Sequence, residues 1–140
     1  MSGPASTESV ATVLAADTVV TLDGEILGKP ATPAEAEAML GRLGGREHTV
    51  LTAVAVAKDG QIRERIDRTR VWFRPLSPQT ISDYVATGEP MDKAGSYGLQ
   101  GYGAVLVDRI EGDCFGVIGL PLGLVVELLA EVGIPYRFTR

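Results

Sequence analysis

Residues 13–24 read VLAADTVVTLDG, a run of apolar and β-branched residues that ends in an Asp-Gly pair. Val, Leu and Thr favour extended structure, and Asp23-Gly24 is typical of a two-residue hairpin turn. We therefore predict a mostly buried strand from Val10 to Leu22. Glu25 to Lys29 is predicted to return antiparallel to it, so a hairpin is the first unit of the fold.

The rest of the chain alternates strand and helix patterns around this hairpin. A second turn pair, Asp59-Gly60, separates strands predicted at His48–Ala57 and Gln61–Phe73, and a further strand is predicted at Ala104–Ile110. Capping residues and helical spacing of apolar residues predict helices at Thr32–Leu43, Ser77–Gly88 and Leu122–Gly133. This intermixing predicts the α/β class, with a mixed rather than wholly parallel sheet flanked by helices.

Length and composition predict one globular domain. The chain has 140 residues, of which 45% are hydrophobic and 22% are charged, as is typical of soluble globular proteins. Met1–Ser9 is small and polar and is predicted to be a flexible tail, which leaves a single domain at residues 10–140. The most apolar region, Phe115–Ala130, is interrupted by Pro121 and Glu127 and is too short to cross a bilayer. Membrane spanning is therefore excluded.

Charge and cysteine content narrow the choice of partners. Thirteen Lys and Arg against eighteen Asp and Glu give a formal net charge of −5, which lacks the basic excess that a nucleic-acid polymer usually requires. An anionic small molecule would need a local cluster of cations or a bound divalent metal. Cys114 is the only cysteine. A single cysteine excludes an internal disulfide, and it is consistent with a reducing, cytoplasmic compartment.

Asp17 is the most informative single residue, because it interrupts the apolar strand pattern. A buried carboxylate is costly without a partner, and such groups concentrate at active sites, so Asp17 is a candidate general base or metal ligand. It is equally a candidate strand-end residue that caps backbone amides. A tight turn at Asp23-Gly24 would pair Thr18 with Lys29 and bring the ammonium near Asp17, given a bulge at Gly28. Lys29 can otherwise be a solvated charge.

A glycine-rich loop from Gly95 to Gly103 follows Asp92-Lys93 and lets backbone amides approach a ligand closely. It matches neither the P-loop nor the dinucleotide fingerprint, and tight turns use the same glycines. Gln100 within it can read a pyrimidine edge, because its amide both donates and accepts. His48 is predicted to be a structural residue at a strand edge, and Cys114 a small packed hydrophobe.

Several ordered segments together resemble the Maf family of nucleoside triphosphate pyrophosphatases. They are Ala15-Ala16-Asp17-Thr18-Val19-Val20, Gly28-Lys29-Pro30, Asp92-Lys93-Ala94-Gly95 and Tyr97-Gly98-Leu99-Gln100-Gly101, and further similar segments extend the match from about Leu14 to Pro135. The resemblance implies a Maf/ITPase-like fold and hydrolysis of a triphosphate between its α and β phosphates, with help from a divalent metal, Mg or Mn. The product would be a monophosphate and pyrophosphate.

The resemblance also implies roles for individual residues. Asp17 matches the catalytic acid-base position and is the implied metal ligand. Thr18 and Gln100 match positions linked to base choice, and the Tyr97–Gly101 sequence looks like the branch acting on dTTP and UTP. Lys29 and Lys93 match positive positions of the substrate cleft.

One departure from the family pattern lies at the start of the chain. Family members normally begin with a strand that leads into a Ser-rich turn ending in Pro-Arg-Arg, and Met1–Val13 does not match it. The resemblance thus implies an N-terminally truncated domain with an exposed sheet edge and apolar face, for which a homodimer is one expected outcome. The alternative function is a non-catalytic nucleotide-binding or septum-formation-related interaction protein.

Overall fold

The computed structural model describes residues 11–138, and its centre is one antiparallel sheet. The five strands are β1 Val13–Leu22, β2 Glu25–Leu27, β3 Glu47–Lys58, β4 Gln61–Phe73 and β5 Val107–Glu111, in the order β2-β1-β3-β4-β5. Each neighbouring pair is antiparallel, so the described residues contain no parallel pair. Together with the helices that flank the sheet, this confirms the α/β class. The predicted tail at Met1–Ser9 lies outside the described residues.

Both predicted hairpin turns form, because each places two residues in the left-handed region. Asp23 and Gly24 have φ of 52° and 81°, and Asp59 and Gly60 have φ of 52° and 79°. Two positive φ angles match the twist of antiparallel strands. The pair Leu22–Glu25 closes the first hairpin.

The return strand of the first hairpin is shorter than predicted. β2 ends at Leu27, so the predicted strand pair of Thr18 with Lys29 and the bulge at Gly28 do not form. The Gly28 carbonyl instead accepts a hydrogen bond from the Gly95 amide at 3.2 Å. This bond ties the segment that carries Lys29 to the glycine-rich loop.

Four α-helices and three short 3₁₀ turns lie between or after the strands in the described range. The helices are α1 Pro33–Leu43, α2 Pro78–Ala86, α3 Cys114–Ile118 and α4 Leu122–Glu131, and the 3₁₀ turns are Glu89–Asp92, Ala94–Ser96 and Tyr102–Leu106. None of the described helices combines the length and apolar character needed to cross a membrane.

The helix starts follow the sequence signals. The Thr32 hydroxyl accepts from the Glu35 amide and the Ser77 hydroxyl accepts from the Thr80 amide, each at 3.1 Å, as N-caps do. One predicted strand needs correction. Residues 104–106 belong to a 3₁₀ turn, so the last strand begins only at Val107. Helix α3 had no counterpart among the predicted helices.

The helices cover one face of the sheet and bury two separate apolar clusters there. The larger cluster joins α1 and α2 to strand residues such as Leu22, Val50 and Phe73. The smaller one packs α4 on the other end of the sheet, through Val54, Val56, Val125, Leu128 and Val132. Thr52 lies between Val50 and Val54 on the same face of β3, so a polar residue separates the two clusters.

The opposite face of the sheet is uncovered over the first half of β1. Val13 is 57% exposed, and Ile62 and Ile66 on β4 are 61% and 66% exposed. The prediction of a mostly buried strand is therefore wrong for residues 13–17 and right only near its end, at Val20 and Leu22. The physical reason is that only the covered face of the sheet, toward the turn, is packed by helices within the described range.

His48 and Cys114 also differ from their predictions. Cys114 opens α3 and is exposed rather than packed. His48 lies on β3, which has neighbours on both sides, so it is not at a sheet edge, and it is only 2% exposed. Its Nε2 is 2.7 Å from the Tyr97 hydroxyl, and its ring packs edge-on against Phe73 and Tyr97. Burial lowers the pKa of His48 to about 4, although the nearby Glu47 carboxylate opposes the shift.

This buried histidine predicts a pH dependence of stability. His48 has an ordinary pKa of 6.5 when unfolded and about 4 when folded, so between these values the unfolded chain binds the extra proton. The contribution of His48 to the free energy of unfolding is fully present above pH 6.5. It is lost as the pH drops toward 4, by up to about 3 kcal/mol. Urea unfolding at pH 7.5, 5.5 and 4.5 measures it. His48→Gln should flatten the dependence in this window, and an unchanged slope in that variant would contradict the assignment.

Candidate functional site

A cleft of about 310 Å³ opens on the helix-covered face, between the glycine-rich loop and α3. All five site residues predicted from the sequence line it: Asp17, Thr18, Lys29, Lys93 and Gln100. They come from β1, from the segment after β2 and from the loop, so the fold brings together positions up to 83 residues apart in sequence. Their chemical roles stay predictions.

The inner wall of the cleft is apolar. Val20 and Val50 are 3% and 1% exposed and lie opposite each other on β1 and β3. Tyr97 joins them from the loop, and Val117 and Ile118 of α3 form the other side. This wall suits a flat ring, because apolar pockets with few polar groups bind such ligands.

Two hydrogen-bonded hydroxyl groups lie in the gap between the two apolar clusters, and one of them, that of Thr18, lines the cleft. The Thr18 and Thr52 hydroxyl oxygens are 2.9 Å apart. Thr52 is fully buried and donates to the carbonyl of Gly116 in α3 at 2.8 Å. This hydroxyl chain connects β1, β3 and α3, so it fixes the position of the Thr18 side chain.

Asp17 lies at the rim, not in the interior. It is exposed, so the predicted cost of burying its carboxylate does not arise. Side chains of a strand alternate between faces, which puts the Asp17 side chain opposite to that of Thr18. In agreement, Asp17 also lines a groove of about 670 Å³ on the uncovered face, with Ala53 and Ile66.

Two lysines supply the positive charge of the cleft. The Lys93 Nζ is 2.9 Å from a carboxylate oxygen of Asp92. The hydrogen bond and charge of Lys93, with a smaller contribution from Lys29, hold the pKa of Asp92 below its usual value. Within the described residues no ion pair joins Lys29 to Asp17, so the expected pairing of these two groups does not form.

The glycine-rich loop is held close to β1 by the absence of a side chain at Gly95. Gly95 has φ of +72°, and a Cβ atom there would lie 2.9 Å from the Val20 methyl groups. Any other residue would therefore push the loop away from the strand and widen the cleft. At Gly95, the close approach that the glycine permits is to Val20 of the protein itself. Close approach of the loop backbone to a ligand stays a prediction.

Glu89 is a second anchor of this loop, and no pattern in the sequence marks it. One carboxylate oxygen accepts from the Tyr102 amide at 2.8 Å. The other accepts from the Gly103 amide at 2.9 Å and from the Tyr84 hydroxyl, which in turn accepts from the Gly98 amide at 3.0 Å. A Cβ atom at Gly101 would collide with the same carboxylate. The glycines were visible in the sequence, but the acceptor that needs them was not.

The titration of these groups follows from their contacts. Burial acts to raise the pKa of Glu89, but the hydrogen bonds from Tyr84, Gly103 and Tyr102 outweigh it and lower the pKa overall. Burial and the hydrogen bond to Glu89 raise the pKa of Tyr84 well above its usual value. Glu89 is therefore an ionised acceptor at neutral pH, and Tyr84 a neutral donor.

The carboxylates of the cleft fit a metal ion only in company with a ligand. Within the described residues, no group of three or more His, Cys, Asp or Glu side chains is arranged to hold a metal. Asp17 and Asp92 are the two acidic residues among those that line the cleft, and the Asp17 side chain lies at its rim. Mg²⁺ is commonly bound by one or two carboxylates together with phosphate oxygens of a substrate, so a metal here would need the ligand to complete its coordination.

The cleft therefore combines an exposed acidic residue at its rim, two lysines and an apolar wall, which is the chemistry that an anionic ligand with an aromatic ring requires. The model of the family described as "Maf-like protein" matches residues 3–132, so the chain belongs to the Maf family.

Individual relatives are similar over most of the chain. A protein of Symbiobacterium thermophilum, named dTTP/UTP pyrophosphatase, is 54% identical over 89% of this chain and 64% of its own length. The protein of the same name from Moorella thermoacetica is 56% identical over 89% of this chain and 65% of its own length. The protein of the same name from Neisseria meningitidis serogroup B is 49% identical over 86% of this chain and 60% of its own length. The chain thus spans just under two thirds of the curated relatives it matches.

The anchoring role of Glu89 gives a testable prediction. Glu89→Gln replaces one acceptor oxygen by an NH₂ group that faces N–H donors, so we expect a loss of about 1–3 kcal/mol of stability and faster hydrogen exchange at the Tyr102 and Gly103 amides. NMR-detected exchange and urea unfolding measure both. Glu64→Gln, an exposed change on the uncovered sheet face, is the control. Equal exchange in the two variants would show that Glu89 does not hold the loop.

Proposed function

We propose that this chain is a nucleoside triphosphate pyrophosphatase that hydrolyses dTTP and UTP to the nucleoside monophosphate and pyrophosphate. The observation that carries the proposal is the meeting of Asp17, Thr18, Lys29, Lys93 and Gln100 around one cleft. The names of relatives about 50% identical to this chain support the same activity.

Substrate binding divides the cleft by chemistry. The nucleobase lies against the apolar wall near Val20, Val50 and Tyr97, within reach of the polar groups of Thr18 and Gln100. The triphosphate lies toward Lys29 and Lys93, whose ammonium groups offset its charge. A chain with a net charge of −5 repels an anion overall, so an anionic ligand needs a local cluster of cations. The two lysines are such a cluster.

Hydrolysis needs an activated water and a stabilised leaving group. Asp17 accepts a proton from a water molecule. The oxygen of that water forms a bond to the α-phosphorus, and the bond from the α-phosphorus to the oxygen that bridges it to the β-phosphorus breaks. Pyrophosphate leaves with the electron pair of that bond. Lys29 and Lys93 stabilise the charge that develops on the phosphate oxygens. The exposed position of Asp17 at the rim keeps it in contact with solvent water.

A divalent metal, Mg or Mn, is part of the proposal. Asp17 and Asp92, the two acidic residues that line the cleft, would hold it together with the phosphate oxygens. When bound, such an ion withdraws charge from the phosphates and lowers the pKa of a coordinated water.

The predicted homodimer and cytoplasmic location stay predictions. The exposed apolar residues of the uncovered sheet face support the homodimer.

The decisive measurement is pyrophosphate release by this chain from dTTP, UTP, CTP, ATP and GTP, with and without Mg²⁺ or Mn²⁺. We expect metal-dependent release from dTTP and UTP. Asp17→Asn should lower the rate at least about 100-fold, because it removes the proton acceptor. Asp59→Asn is the matched control, since Asp59 lies in the β3–β4 turn, and Asn tolerates its positive φ.

Two outcomes would argue against this function. Release by Asp17→Asn at the unsubstituted rate would remove Asp17 from the mechanism. Binding of UTP by a folded chain without any release of pyrophosphate would favour the alternative, a non-catalytic nucleotide-binding protein.

A further inference from the structure

We propose that Thr52 sets the direction of the Thr18 hydroxyl group, so that Thr18 presents only acceptor lone pairs to the cleft and selects a base with a ring N–H donor. The inference rests on the proposed function, which it deepens by naming how uracil and thymine are separated from cytosine. It makes Thr52 a positioning residue, because this buried side chain acts on the ligand through Thr18.

The direction follows from counting protons along the hydroxyl chain. A hydroxyl group has one proton to donate and two lone pairs. The Gly116 carbonyl can only accept, and it lies 2.8 Å from the Thr52 hydroxyl oxygen. The single Thr52 proton must therefore point to Gly116, since two oxygens at this distance repel each other without a proton between them.

The state of Thr18 is then determined as well. Its oxygen is 2.9 Å from that of Thr52, and the Thr52 proton is already used. Thr18 must donate its own proton to Thr52. No other hydrogen bond to the Thr18 side chain occurs within residues 11–138, so the lone pairs that face the cleft are available to a ligand donor.

The structure prevents this hydroxyl chain from reversing. Thr52 is 0% exposed and lies between the two apolar clusters, so water does not offer it another partner. Turning its proton toward Thr18 would leave the oxygens of Thr52 and Gly116 facing each other without a proton, which is costly in a buried site. The polarity of Thr18 is therefore a built-in property of the fold.

This polarity matches the base that the names of the relatives share. Uracil and thymine carry a donor at N3, whereas N3 of cytosine is a bare acceptor. An acceptor-only hydroxyl pairs with the first and repels the second. Sites built around one hydrogen bond reject analogues that cannot make it, because buried polar groups are then left unpaired. The dTTP and UTP in the names of the relatives have this donor in common.

The test compares the binding of UMP and CMP by NMR titration, in the unsubstituted chain and in two variants of Thr52. We expect the unsubstituted chain to bind UMP at least about tenfold more tightly than CMP. Thr52→Val, which has nearly the same shape but no hydroxyl, frees the Thr18 proton and should reduce this ratio to about twofold or less. Thr52→Ser keeps the hydroxyl and should retain the preference. A merely structural role would weaken both ligands equally and leave the ratio unchanged.

A second pair of variants covers the case in which Thr52→Val does not fold. Thr18→Val should lose the preference for UMP and Thr18→Ser should keep it. The inference is overturned if the unsubstituted chain shows no preference, binds neither ligand or prefers CMP, or if folded Thr52→Val or Thr18→Val keeps the original ratio. Pyrophosphate release from UTP is measured in parallel. A chain that prefers UMP but releases no pyrophosphate refutes the proposed hydrolysis and leaves the base selection supported.

Discussion

The cleft depends on one constraint: the helices pack on a single face of an antiparallel sheet and do so as two separate clusters. Alternation along β3 puts Val50 in one cluster, Val54 in the other and Thr52 between them. A gap between apolar clusters is the place where a polar residue can be buried and still find partners. Thr52 finds Thr18 and Gly116, and the cleft opens directly beside them.

The outer wall of the cleft is a loop with little regular structure, and hydrogen-bond acceptors on side chains hold its backbone in place. Backbone amides of a loop must be paired when they are shielded from water. Glu89 pairs two of them and reaches a third through the Tyr84 hydroxyl. The glycines allow the backbone to approach these groups, as Gly95 does at Val20. A single ionised carboxylate thus stabilises the segment that carries Gln100, without itself lining the cleft.

Asp17 and Thr18 illustrate how adjacent residues of a strand acquire different environments. Thr18 faces the helices and joins a buried hydroxyl chain, whereas Asp17 faces the uncovered side and stays in solvent. A base that exchanges protons with water benefits from that exposure, and a group that reads a ligand by hydrogen bonding benefits from burial. In the proposed function, Asp17 therefore acts at the rim of the cleft and Thr18 acts inside it.

Local signals by themselves determined the hairpins, the starts of α1 and α2, and the α/β class, because turn pairs and N-caps act within a few residues. The Asp23-Gly24 and Asp59-Gly60 turns and the Thr32 cap formed as predicted. The family pattern likewise marked five of the residues that line the cleft. Only the tertiary structure decided that Asp17 is exposed, that His48 is buried and that Glu89 and Thr52 matter. These properties depend on which face the helices cover and on contacts between residues 13–64 positions apart, which no local pattern encodes.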